Sequence, residues 1–140
     1  MTRVGFYVLQ SNSPEKRLDV AMRLTEKAFA QGHRVFINAG DKHQAQQLDE
    51  QLWTFRPASF LPHALQGKPE AQSTIAIGWG QDPGMHCDLL INLQLEVPPF
   101  FSRFKRVAEV VTQDSASLAA LRTSWKFYQD RGYHMEKHDL

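Results

Sequence analysis

The succession from Val4 to Ala39, which gives strand, helix and strand signals without a break, constrains the fold of this chain more than any other stretch. Val4, Phe6, Tyr7, Val8 and Leu9 form a short run rich in β-branched and aromatic residues, closed by the turn-formers Ser11, Asn12, Ser13 and Pro14. Such a run suits a strand buried on both faces. Leu18, Ala21, Met22, Thr25, Ala28 and Phe29 then recur at steps of three and four, which lays one apolar stripe along a helix. Ser13 is placed to cap that helix, Pro14 suits its first position, and Gly32 supplies a left-handed residue past its end. Val35, Phe36 and Ile37 follow at once as a second strand. A connection of this length is no hairpin, so the two strands are expected to run parallel through a right-handed crossover. The unit predicts one three-layer α/β/α domain of Rossmann-like kind over residues 1–140, with Val4 to Leu9 near the centre of its sheet.

Beyond it, Asp41 can cap a helix whose apolar positions are Ala45, Leu48 and Leu52. Pro57 and Pro62 then break periodicity, yet Trp53, Phe55, Phe60 and Leu61 load this irregular stretch with large apolar groups. Two readings stand: the rings plug a sheet edge, or they form a partner-binding patch, since aromatic anchors dominate interface energetics. Ile75 to Ile77 and Leu89 to Leu93 supply two further strands. The loop between them is too short for a crossover helix, so an antiparallel hairpin is expected and the sheet is expected to be mixed, mostly parallel. Phe100, Phe101 and Phe104 resemble a helical turn, and the β-branched Val107, Val110 and Val111 favour a fifth strand. Asp114 or Ser115 caps a last helix with the stripe Leu118, Leu121, Trp125 and Tyr128, closed by Gly132. Tyr133 to Leu140 read as a loosely held tail.

Sixteen basic against fifteen acidic side chains leave a formal charge of +1, far from the basic balance of a chain that lives on nucleic-acid phosphates. Sequence-specific DNA binding is disfavoured on that ground. Cys87 is the only cysteine, which excludes an internal disulfide and a four-cysteine zinc site and fits a reducing compartment. The chain begins directly in a strand signal, and no apolar stretch approaches the ~20 residues of a membrane span. A cytoplasmic protein without membrane contact is expected.

Catalytic motifs do not emerge. Gly78, Gly80 and Gly84 follow a strand, but the dinucleotide fingerprint needs a different spacing and a helix directly after it. The first strand-to-helix turn, Gln10 to Pro14, has no glycine to admit a pyrophosphate. His86, Cys87 and Asp88 are consecutive, so on a strand they point to alternate faces and make a poor metal site. His134 and His138 are four apart, and share a face only if the tail is helical. No catalytic residue, cofactor or metal is expected. Arg122, Trp125 and Lys126 stand at i, i+3 and i+4 and so form one surface on a helix. They are either a core tryptophan flanked by solvated cations, or a clamp for a carboxylate beside an apolar wall.

Several stretches together carry a resemblance: L-D-E-Q-L-W at Leu48 to Trp53, S-F-L-P-H at Ser59 to His63, V-P-P-F-F-S-R-F at Val97 to Phe104, and R-T-S-W-K-F-Y-Q-D-R-G-Y at Arg122 to Tyr133. With the opening F-Y and the G-H-R-V before the second strand, their order and spacing resemble the chi subunit of bacterial DNA polymerase III holoenzyme over nearly the whole chain. The resemblance implies a non-catalytic clamp-loader accessory protein of DNA replication with two partners. One is the psi subunit, which tethers it to the clamp loader; the other is the acidic C-terminal tail of single-stranded DNA-binding protein, through which DNA would be reached only indirectly. A repair helicase is left open as a further partner. The family's psi-facing tryptophan and phenylalanine fall on Trp53 and Phe60. Its tail-binding arginine, aromatic and lysine fall on Arg122, Trp125 and Lys126, with tryptophan where some relatives carry tyrosine. The competing expectation, from fold analogy alone, is a nucleotide-dependent enzyme on a Rossmann-like core.

Overall fold

The computed structural model describes residues 1–55, 61–68, 71 and 75–140. Its elements follow in chain order: β1 (Arg3–Val8), α1 (Pro14–Ala30), β2 (Val35–Asn38), α2 (Lys42–Leu52), β3 (His63–Leu65), β4 (Ile75–Gly78), β5 (Leu89–Asn92), a 3-10 turn (Phe101–Arg103), β6 (Arg106–Val111), α3 (Ser115–Asp130) and β7 (His134–Asp139). All three helices start on the caps that the sequence offers. The Ser13 hydroxyl accepts from the Lys16 amide at 3.3 Å, the Asp41 carboxylate from Gln44 at 2.8 Å, and Asp114, rather than Ser115, from Ser117 at 3.0 Å. Each satisfies a backbone donor that the first helical turn leaves without a partner.

The seven strands form one sheet in the order β3-β4-β2-β5-β6-β1-β7, and every pairing among the described residues is parallel. This corrects the expected mixed sheet. β4 and β5 are no hairpin: they lie on either side of β2, and residues 79–88 cross that strand without a helix. Packing replaces the helix. Pro83 and His86 are buried within the crossing segment, and the His86 ring lies 6.3 Å from that of Phe36 on β2, the strand being crossed. Buried side chains thus let a short connection cover a parallel strand.

β1 is also not at the centre. It stands second from one edge, with β5 and β6 between it and β2. It is nevertheless buried, because residues 134–139 are a strand and not a loose tail: β7 pairs in parallel with β1 from Arg3–His134 to Val8–Asp139. Val4, Phe6 and Val8 are at most 3% exposed. On one face, Ile37, Ile91 and Val110 pack against Leu18, Ala21 and Met22 of α1 and Leu48 and Leu52 of α2. On the other, Phe6, Phe36, Leu90 and Val107 meet Phe101, Phe104 and Tyr128. That gives the three layers.

The close fit on this second face yields an expected outcome at Gly78, at the end of β4. A Cβ there would lie 2.7 Å from Cζ of Phe36, whose ring is fully buried. Gly78→Ala should lower stability by about 1–3 kcal/mol, as overpacking in a close-packed core does. A urea titration reads this as a lower midpoint with unchanged slope; an unchanged midpoint would mean that Phe36 has room to move.

Candidate functional site

α3 presents its surfaces in an order that the apolar stripe alone did not give. Tyr128 is fully buried, but Leu118, Leu121 and Trp125 are only half-buried, and Ser117 and Ser124 occupy the remaining sheet-facing positions. Trp125 sits at the margin of the core, its ring 5.2 Å from that of Phe6 on β1. Arg122 and Lys126 flank it on the same side of the helix and are exposed. Lys126 reaches Asp130 at 3.2 Å in an exposed i,i+4 pair, which contributes little to stability and leaves the ammonium accessible. Arg122 makes no ion pair among the described residues. The three residues are therefore brought together as the spacing predicts, and Trp125 is part wall of the core and part surface.

Between α3 and Leu95 a cavity of about 20 Å³ opens, lined in part by Phe6, Leu121 and Ser124. It has room for a single water and not for an aromatic ring. An aromatic ligand would have to lie across Trp125 instead. The cavity's polar floor, Glu109 and Arg17, belongs to a buried network that sequence reading missed. The Glu109 carboxylate accepts from Tyr128 Oη at 2.9 Å and from Asn92 Nδ2 at 2.9 Å. Asn38 donates in turn to Asn92 Oδ1 at 3.1 Å. Burial pushes the Glu109 carboxyl up to about 7, against the lowering effect of the Tyr128 and Asn92 hydrogen bonds and of the nearby Arg17 guanidinium. Tyr128 is pushed far up for the matching reasons: burial first, then the carboxylate beside it. The signal was present in the sequence, as a glutamate inside the β-branched run Val107 to Val111 and an asparagine ending each of two apolar strands, Asn38 and Asn92.

Side chains of this network, with Gln113, also reach the carboxyl ends of the strands, where open α/β sheets bind their ligands. Arg17 donates to the carbonyls of Val110 and Leu93 at 3.0 and 2.9 Å, and Gln113 donates to that of Leu9 at 2.7 Å. The amide of Gly80, in the glycine-rich turn, is held by Asn38 Oδ1 at 3.0 Å. The chain's own side chains thus take up backbone groups at the ends of β1, β2, β5 and β6, the turn's amide included. Asp114, capping α3, is held down to about 2 by hydrogen bonds from Thr112 and Ser117.

Trp53 follows α2 directly and is 54% exposed. Its ring lies 4.2 Å from that of His63, which is buried with Nδ1 at 2.5 Å from the Leu61 carbonyl and Nε2 at 2.8 Å from that of Asp49. His63 thereby fixes the platform on which Trp53 rests. Of the apolar stretch around it, Leu61 is 4% exposed and Phe55 packs against the first core cluster; these two act as plugs, and Trp53 does not. Phe60, the second residue expected on this surface, lies outside the described residues. His134 and His138 share a face although residues 134–139 form a strand, because alternation along β7 brings positions four apart to the same side; this corrects the expectation that only a helix would do so. Among the described residues no group of three or more His, Cys, Asp or Glu is arranged to hold a metal ion, and no helix is long and apolar enough to cross a membrane.

The likeness to known proteins spans these surfaces. The family model of the DNA polymerase III chi subunit, HolC, matches residues 1–136. The chain belongs to the chi-subunit family. DNA polymerase III subunit chi of Pseudomonas aeruginosa is 46% identical over 140 residues, covering 100% of this chain and 98% of that protein. The chi subunit of Haemophilus influenzae is 31% identical, with 96% and 95% covered, and that of Escherichia coli 29% identical, with 96% of each covered. The family places the chain among the subunits of DNA polymerase III, in DNA replication.

Proposed function

We propose that this chain is a non-catalytic bridge of the replisome, joining the clamp loader through psi to the C-terminal tail of single-stranded DNA-binding protein. The exposed triplet Arg122, Trp125 and Lys126 on α3 carries the reading, together with family membership. An arginine fork suits the terminal carboxylate, a lysine suits the acidic residues before it, and the open part of the tryptophan gives an aromatic side chain a surface to lie on. Trp53 takes the psi-facing role, with Phe60 as its neighbour in sequence. The two surfaces lie far apart in the strand order, α3 leading into β7 at one edge and Trp53 preceding β3 at the other. One chain can therefore hold both partners at once. The cytoplasm is the compartment in which such a bridge works.

A nucleotide-dependent enzyme is the weaker reading, because the first strand-to-helix turn, Gln10 to Pro14, has no glycine to admit a pyrophosphate and the Gly80 amide is already held by Asn38. A thermal-shift series separates the two, since a ligand of the native state raises its melting point by mass action. An acidic peptide ending in phenylalanine should raise it, and nucleotides and dinucleotides should not; the reverse pattern would overturn the proposal.

A further inference from the structure

α1 packs over β2 and β6, and beyond it the same face of β1 and β7 is open: Arg3, Gly5, Tyr7, His134, Glu136 and His138 are all half-buried or exposed. Tyr7 and His138 stack there in near-parallel planes, with ring centroids 4.6 Å apart and 15° between the planes. The Tyr7 ring folds back over Gly5, where a Cβ would lie 3.1 Å from it. Gly5 thus keeps the platform flat against the sheet. A cavity of about 380 Å³ opens beside the platform, bounded by Lys27, Lys105 and Arg106, and a second of about 160 Å³ continues it past Arg106 to Arg3. Four permanent cations line the pair of cavities, Arg3, Lys27, Lys105 and Arg106, against two carboxylates, Asp88 and Glu136. Both carboxylates are already engaged. Asp88 accepts from the Arg34 amide at 2.9 Å and faces Lys105 at 3.4 Å, while Glu136 lies between His134 and His138 at 3.3 and 3.5 Å. A chain of net charge +1 therefore concentrates positive charge around one flat π surface.

We infer that this groove on the face of β1, β6 and β7 binds single-stranded DNA directly, with a base stacked on the Tyr7–His138 pair and the phosphates drawn to Lys105, Arg106 and Lys27. Stacking platforms inside a basic groove are how proteins hold single strands without reading sequence, and Tyr7 on an open sheet face is placed as such platforms are. An acidic peptide without an aromatic residue would use the cations but leave the flat stack idle. The groove lies on the opposite face of the sheet from α3, so a strand could occupy it while the α3 surface is engaged. The inference runs against the expectation that DNA is reached only through a partner, and it does not depend on the proposed partners.

The test is fluorescence anisotropy of a short labelled oligothymidine with the full chain alone, at about 50 mM salt and upwards. Wild type should bind weakly, and each lost phosphate contact should flatten the logarithmic salt dependence by about 0.7. Lys105→Glu/Arg106→Glu, which changes two exposed side chains, should abolish binding in a chain that still melts cooperatively, its midpoint lowered only by the loss of the exposed Lys105–Asp88 pair. Tyr7→Ala should weaken binding about fivefold or more, and Tyr7→Phe, which keeps the ring, should not. Lys42→Ala, at an exposed residue at the start of α2, serves as the control and should bind as wild type does. Absence of wild-type binding at low salt, full binding by the charge-reversed double variant, or equal competition by an acidic peptide would overturn the inference.

Discussion

Between pH 8 and pH 5 the wild-type protein should become more stable, by roughly 3 kcal/mol from Glu109 alone, and Glu109→Gln should lose most of that dependence. The folded chain holds the Glu109 carboxyl at about 7, against 4.5 without the fold, and that difference is worth roughly 3 kcal/mol between its two protonation states. Below about pH 4.5 both folded and unfolded chains carry the proton, so the contribution is fully present. Between 4.5 and 7 only the folded chain holds it. Stability therefore falls as pH rises through this window, because the native state binds more protons than the unfolded one. Asp114 acts in the opposite sense and elsewhere: its contribution is lost as pH falls from 3.8 towards about 2. Glutamine keeps the shape of Glu109 and carries no charge, and Arg17 retains its two carbonyl acceptors. Glu109→Gln should then be the more stable protein at pH 8 and close to wild type at pH 5. Denaturant midpoints across that range measure this; a parallel slope in both proteins would mean that Glu109 is not the titrating group.

Trp53→Ala should cost about 2 kcal/mol or more of psi binding, upwards of roughly thirtyfold in affinity, while leaving the fold nearly intact. A tryptophan in the core would cost about 3–5 kcal/mol of stability when truncated, but this one is 54% exposed and rests on His63 rather than within either apolar cluster. Calorimetric titration with psi and a thermal melt of the free chain separate the two roles. A large fall in melting temperature with psi binding unchanged would make Trp53 a plug of the sheet edge, as Leu61 is.

The parts of the fold that sequence made legible are those whose cause is local. The caps Ser13, Asp41 and Asp114 and the stripes of α1 and α2 involve residues within a turn or two of one another. What was not legible depends on distant packing. β7, His134 to Asp139, is an edge strand in which only Met135 packs against the core, and its charged side chains, which guard a sheet edge, read as a tail. β3 is three residues long and follows a proline. The crossing from β4 to β5 looked like a hairpin because nothing in its length says that His86 will pack on Phe36 in place of a helix. At the candidate site, the i, i+3, i+4 spacing of Arg122, Trp125 and Lys126 was enough to place them together. Spacing could not separate Trp53 from Leu61, because exposure is set by the sheet that each one meets.

The bridge stands or falls on whether α3 recognises a chain end. The direct measurement is titration of wild type and Arg122→Ala with an acidic, phenylalanine-ended peptide, once with a free C-terminal carboxylate and once amidated. Arg122 is exposed, so its pairing with the carboxylate is worth about 1 kcal/mol, or roughly fivefold in affinity, and weakens as salt rises over a Debye length of ~8 Å. Wild type should therefore bind the free acid about fivefold more tightly than the amide, and Arg122→Ala should bind both alike, so that the double-mutant cycle closes on one shared interaction. Equal binding of acid and amide by both proteins would contradict the carboxylate clamp and leave Arg122 and Lys126 as a solvated helix face.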